Sequence, residues 1–234
     1  TIGDIGVFSL NCHKHIQTGE GGICVTNNSE LALRLQAVRN HGENIVEDTD
    51  LDPVNMIGFN LRMTELSAAL GIAQLNKIER EVEKRANLAN FLTRETCGLE
   101  GLTPPHVRKK CRHVSYTWAL RVDEKILGVS RETFGQALSN EGFPHFLGYV
   151  RPLYLLPAFQ KRLAIGDQGW PFTLTNRRYE KGLCPVAERM YAKELIGFET
   201  CAYQISDSES QMLVESIVRA HKNRKKLFSS ESSS

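Results

Sequence analysis

Two short runs of β-branched, aromatic and aliphatic residues, 4–10 (DIGVFSL) and 22–26 (GICVT), predict buried strands. A polar loop joins them and ends in Gly19, Gly21 and Gly22. Asn27, followed three residues later by Glu30, predicts a capped helix that shows Leu31, Leu35 and Val38 on one face and stops at Gly42. From Thr64 to about Cys97, Leu66, Ala69, Leu70, Leu75, Ile78 and Val82 recur at helical spacing. Glu79, Glu81, Glu83, Lys84 and Arg85 supply the wet face of one long helix. Gly98, Gly101, Pro104 and Pro105 then break the chain, which sets a domain boundary: 1–105 as part of a large domain, 106–228 as a smaller one.

Beyond that cluster, residues 115–122 alternate as a strand and residues 130–140 follow as a helix. Pro152 and Pro157 mark an irregular loop, and Pro185 suits the first position of a helix reaching about Leu195. Ser206 with Glu209 forms a capping box for a last helix to about Phe228, and residues 229–234 read as a disordered tail. The fold class is therefore α/β in the first part and α+β in the second.

Composition narrows the function only broadly. Of 234 residues, 41% are hydrophobic and 24% charged, so the chain folds rather than staying disordered. No apolar run reaches the ~18–20 residues of a membrane span, so no membrane partner is expected. A net charge of +2 gives no reason to expect nucleic acid. The one dense basic run, residues 221–226, suits the C-terminal end of a helix. Cys12, Cys24, Cys97, Cys111, Cys184 and Cys201 are widely spaced, as expected for reduced thiols in a cytoplasmic protein rather than a zinc site or disulfide framework. The chain carries no signal peptide and begins at Thr1, so an upstream part is expected to be missing.

Lys14 is the sharpest chemical candidate. A lysine desolvated at the end of a buried strand favours its neutral amine, which is the nucleophile that Schiff-base chemistry requires. Ser9, five residues earlier, offers a hydroxyl for a phosphate oxygen, and the three glycines allow backbone to approach a ligand. On these residues alone, a surface lysine in a hairpin loop is the favoured reading.

The string GVFSLNCHKHIQTGEGG (residues 6–22) closely resembles the internal-lysine motif of the DegT/DnrJ/EryC1/StrS aminotransferases, with Leu10 in place of a phenylalanine. RNHG (39–42) and GFNLRMTELSAALGIAQL (58–75) resemble two further blocks of that family in order. YVRPLY (149–154) stands where the family has a Tyr-x-x-Pro-Leu-His loop, Tyr154 replacing the histidine, and CPVAERM (184–190) is similar to a Pro-Val-Ala-Glu helix start.

The resemblance implies the C-terminal part of a fold type I enzyme using pyridoxal 5'-phosphate to move an amino group onto a nucleotide-linked keto-sugar. Glutamate is the expected donor, polysaccharide or glycoconjugate synthesis the expected setting, and a homodimer with shared active sites the expected assembly. It implies that Lys14 carries the Schiff base and moves the proton, that Ser9 holds the cofactor phosphate, and that Asn60 reaches the partner's cofactor across the dimer. Arg62 would clamp an anionic group of donor or sugar, and Tyr149 would line the sugar pocket. The aspartate, aromatic residue and Gly-Thr turn with which the family holds the cofactor ring would precede Thr1, so about a third to two-fifths of the enzyme is expected to be absent, and Asp4 lies too near Ser9 to replace the aspartate.

Humbler roles stand beside these. Asn60 could cap the helix near Thr64, Arg62 could pair with Glu65, and Tyr149 and Tyr154 could pack their loop. His13 and His15 read as loop histidines. Relatives that dehydrate sugars carry histidine at the lysine position, so Lys14 favours transamination over a dehydratase. A non-catalytic dimerisation or binding module on the same scaffold is the alternative from another class.

Overall fold

The computed structural model describes residues 2–43 and 56–231, with side chains through Lys226. The acidic residues Glu47, Asp48, Asp50 and Asp52 and the last part of the serine-rich tail lie outside the described residues. The chain forms two compact units, Thr1–Glu83 and Lys84–Ser234.

In the first unit, β1 (Gly6–Ser9) and β2 (Gly22–Val25) pair antiparallel, with Val7 opposite Cys24 and Ser9 opposite Gly22. Both predicted strands therefore form, but neither is buried. Val7 is 73% exposed and Phe8 58%, because a two-stranded ribbon cannot cover its own faces. The apolar run records a need for burial, and the described residues leave that face open.

Helix α1 (Ser29–Arg39) is capped by Asn28, whose side chain accepts from the Leu31 amide at 3.1 Å. The cap is thus one residue later than Asn27, and Glu30 pairs with Arg34 one turn on instead of reaching back. The long helix divides into α2 (Glu65–Leu75) and α3 (Ile78–Thr96), which meet at a turn through Asn76 and Lys77. Thr64 caps α2 by accepting from the Ser67 amide at 3.2 Å. Leu66, Leu70, Ile72 and Leu75 of α2 are all exposed.

The second unit has a conventional core. Strands β3 (Leu102–Thr103) and β4 (Trp118–Val122) are followed by a short helix α4 (Glu124–Leu127), then α5 (Arg131–Asn140) and β5 (Phe146–Leu147). Helices α6 (Pro157–Gln160) and α7 (Pro185–Arg189) come next, then β6 (Leu195–Phe198) and α8 (Asp207–Glu231). The sheet order is β3-β4-β6-β5, and every pairing is antiparallel. Trp118, Leu120 and Val122 alternate inward on β4 and meet Leu92 of α3, Phe134 and Leu138 of α5 and Ile217 of α8. The compact units divide inside α3, upstream of the glycine–proline cluster, and that cluster belongs to the second unit: Leu102 is buried and pairs with Val122.

Strand β6 has no counterpart in the sequence reading, where a helix was expected to run to Leu195. Instead α7 ends at Arg189, a π-helical turn covers Met190–Glu194, and the chain enters the sheet centre. Ser130 caps α5, and Ser206 and Glu209 form the expected reciprocal pair before α8, whose backbone runs to Glu231, into the tail. No helix among the described residues is long and apolar enough to cross a membrane.

Candidate active site

The lysine loop is held shut at its neck. Leu10, the buried residue after β1, donates its amide to the Gly21 carbonyl and accepts from the Thr18 amide, both at 2.9 Å. Thr18 is buried as well, and its hydroxyl donates to the Glu20 carbonyl. Inside the loop, Asn11 accepts from the His13 amide through its side-chain oxygen and donates its amide NH2 to Glu20 at 2.8 Å. The Gly19 amide donates to the Gln17 side chain at 2.6 Å. Lys14, half-buried, donates its backbone N–H to the Asn11 carbonyl and sits on a staked turn rather than a loose one. Ser9 is exposed at the strand end, and its hydroxyl oxygen accepts from the Asn11 amide at 3.3 Å.

Of the other two motif blocks, the one at 58–75 packs on this loop and the one at 39–42 packs on that block. A Cβ on Gly21, whose φ is +156°, would stand 2.7 Å from the Thr18 hydroxyl and 3.0 Å from Met63 Cε, so the glycine run packs on the segment entering α2. Gly71 of α2 lies against Thr18 in the same way. Residues 58–61 run antiparallel to the exit of α1: Phe59 donates to the Val38 carbonyl, His41 to Phe59, and Leu61 to Arg39, at 2.8–3.0 Å. Gly58 and Gly42 permit this crossing, since a Cβ on Gly58 would fall 2.2 Å from the Gly42 nitrogen.

Asn60 forms an isolated bridge with Asn40 and is exposed; the capping role falls to Thr64. Arg62 donates through Nη1 to the Asn40 side-chain oxygen at 2.7 Å.

The three blocks nearest the N-terminus are thus gathered in one unit. The family model for DegT/DnrJ/EryC1/StrS aminotransferases matches residues 1–196. This chain belongs to that family. It is 29% identical to the spore coat polysaccharide biosynthesis protein SpsC of Bacillus subtilis, over 73% of this chain and 46% of that protein. It is also 29% identical to the GDP-perosamine synthase of Caulobacter vibrioides, over 68% of this chain and 42% of the relative. The aminotransferase structure from Psychrobacter cryohalolentis superposes with a TM-score of 0.78 at 25% identity, covering 96% of this chain and 57% of that one. The chain spans about half the length of the curated relatives it matches. The α/β then α+β arrangement expected for this fold type agrees with these structures. Enzymes of the family depend on pyridoxal 5'-phosphate.

Tyr149 and Tyr154 belong to the second unit. Tyr149 is exposed and its ring lies 5.2 Å from Phe146, lining a cleft of about 320 Å³. Tyr154 instead ties its loop to α7: its hydroxyl donates to the Glu188 carboxylate and accepts from the Cys184 amide at 3.1 Å. Glu188 also accepts from the Gly182 amide at 2.6 Å. Desolvation first, and then the bond to Glu188, push the Tyr154 hydroxyl up to about 12, while that hydrogen bond holds Glu188 below the usual carboxylate value.

Sequence reasoning passed over Asn11, Glu20, Asn40 and Glu188, each of which sits inside a motif string as an unremarked polar letter. Their roles are to hold the named residues still. The only signal available was an Asx-type residue two positions before His13.

Proposed function

We propose that this chain carries the lysine-bearing portion of a sugar aminotransferase that moves an amino group, from glutamate, onto a nucleotide-linked keto-sugar. The observation that supports it best is the packing of the Gly19–Gly22 run and Met63 against one another, with Arg62 bonded to Asn40, so that three family blocks share one unit. The residues fit pyridoxal 5'-phosphate. A primary amine stands on a staked, half-buried turn, a hydroxyl stands at the strand end, and a Cβ on Gly19 would meet nothing within 4 Å, which leaves that stretch of backbone open to a ligand.

Lys14 would hold the cofactor, and Ser9 would donate to its phosphate. Bound there, the cofactor's electron-poor ring would take up the electron pair released at the amino-bearing carbon. Lys14 Nζ would lift the proton from that carbon and return it to the cofactor carbon on the other side of the shared nitrogen, a task for an amine held on a fixed turn. The Arg62 guanidinium, planar and permanently charged, holds Asn40 through Nη1 and would present the rest of its fork to the donor carboxylate. Tyr149 would line the sugar pocket. Amino transfer, not dehydration, is favoured because a lysine and not a histidine stands five residues after Ser9.

The working assembly in this reading is a homodimer in which Asn60 donates to the partner's cofactor phosphate, a charge-assisted bond about twice as strong as a neutral one. In the natural protein at full length, subunits carrying Asn60→Ala are mixed with subunits carrying Lys14→Ala. Shared sites give each mixed dimer one site with both lesions and one with neither, so transfer from glutamate to the keto-sugar returns. Mixed dimers that form and stay inactive would reject the shared site.

A further inference from the structure

The cleft beside Tyr149 has walls of a consistent chemical kind. Phe198 and Tyr203 stack at 5.8 Å with 11° between their planes, and Phe146 and Tyr149 meet at 5.2 Å with 51° between theirs. His145 stands at the edge, its Nδ1 engaged by the Phe143 carbonyl at 3.0 Å. Among the described residues, Glu199 is the only formally charged one in the lining, and neither lysine nor arginine contributes to it. The fold builds this arrangement deliberately from the backbone outward. Gly197 pairs with Phe146 across β6 and β5, and a Cβ there would fall 2.0 Å from the Phe146 ring, so glycine is what lets that ring lie over the strand. Gly148, at φ +72°, has Tyr191 in the same position relative to its missing Cβ and turns the chain toward Tyr149.

Aromatic faces carry the negative end of the ring quadrupole, and a carboxylate adds a full negative charge. The combination repels phosphate and attracts a cation that has apolar surface of its own. We propose that this cleft binds an organic ammonium group, seated on the faces of Tyr149 and Tyr203 with Glu199 as its counter-charge. The volume of about 320 Å³ admits a small carbon skeleton around the nitrogen and leaves the cleft open at its mouth. Tyr116 is bonded to Tyr149, and its hydroxyl is pushed above its ordinary value by burial first and then by Tyr149 and Glu199. Quaternary and primary ammonium compounds, an alkylated amine or an aminated sugar, share the chemistry that the cleft recognises. The cleft's own lining carries this inference, and Tyr149 is the residue it shares with the aminotransferase reading.

The test is a chemical-shift titration of the whole chain, following the backbone amides of Gly148, Glu199 and Tyr203. Choline is compared with 3,3-dimethyl-1-butanol, its neutral isostere, and D-glucosamine with D-glucose. At least one cation is expected to saturate these shifts and to bind about tenfold or more tighter than its neutral partner. Which cation does so identifies whether the alkylated or the primary ammonium is preferred. Glu199→Gln, which keeps the side-chain shape, should weaken that binding about tenfold, and Tyr203→Ala should weaken it as well. Neutral compounds that bind as tightly as the cations, an unchanged affinity in Glu199→Gln, or no saturable shift from either cation would overturn the proposal.

Discussion

The guanidinium of Arg62 donates to the side-chain oxygen of Asn40 at 2.7 Å, which joins the exit of α1 to the segment that leads into α2. The bond fixes the direction of a cation that the proposed reaction uses on its donor. Arg62→Ala removes a charge-assisted contact of about 1.5–3 kcal/mol and should lower kcat/KM for glutamate about ten- to a hundredfold in the full-length protein. Asn40→Ala should give a smaller loss of the same kind, seen mainly in KM. Steady-state kinetics with the donor varied at saturating sugar checks both.

The crossing of Gly42 and Gly58 leaves no room for a methyl group. A Cβ on Gly42 would sit 1.5 Å from the Met56 carbonyl oxygen, at a φ of +80° that already favours glycine. Gly58→Ala is therefore expected to cost roughly 1–3 kcal/mol through forced backbone shifts. Gly42→Ala, which adds left-handed strain to the clash, should cost more. Urea unfolding followed by a probe in residues 1–83 measures the difference, and a neutral Gly58→Ala would contradict the crossing.

The parts of the fold legible in the sequence were those in which local pattern and tertiary role agree. Ser206 with Glu209, and Pro185, are read correctly because caps and first-turn prolines act within a few residues. Strand β6 is illegible for the opposite reason. Its four residues follow a π-helical turn without a breaker, and pairing with Trp118–Val122 on one side and Phe146–Leu147 on the other makes them a strand. The split between α2 and α3 is missed because Asn76 and Lys77 turn the chain without a glycine or proline. Val7 and Phe8 show the limit of hydrophobic pattern, which signals burial without saying what does the burying. At the site, Lys14, Ser9, Arg62 and Asn60 stand out through their motif spacing, whereas Asn11, Glu20 and Asn40 become visible only as the bonds that hold them.

The knot of Tyr154, Glu188, Gly182 and Cys184 should depend on pH in one direction. Its hydrogen bonds hold the Glu188 carboxyl below its ordinary 4.5, so the contact is complete above that value and is lost as pH falls through the lowered folded value. The Gly182 amide resonance should therefore titrate with a midpoint under 4.5. Tyr154→Phe removes the donor that contributes most, so that midpoint should move up toward the ordinary value. The Cys184 amide, having lost its acceptor, should exchange faster with solvent.

His221 on α8 is expected to make the second unit acid-sensitive. Burial pushes its imidazole below the ordinary 6.5, against the opposing effect of its contact with the Glu100 carbonyl at 2.9 Å. A ring held neutral in the fold contributes stability that is complete above about 6.5 and is lost as pH falls through the lowered folded value. Thermal unfolding midpoints recorded from pH 7.5 to 5 should fall over this window, and His221→Gln should flatten the fall.

The proposed chemistry depends on Lys14 as the lysine that carries the cofactor. The measurement that tests this most directly is borohydride reduction of the full-length protein loaded with pyridoxal 5'-phosphate, followed by peptide mass mapping. The reduced adduct is expected on Lys14, and is expected to be lost in Lys14→Ala. Adduct on another lysine, with Lys14 unmodified, would contradict it.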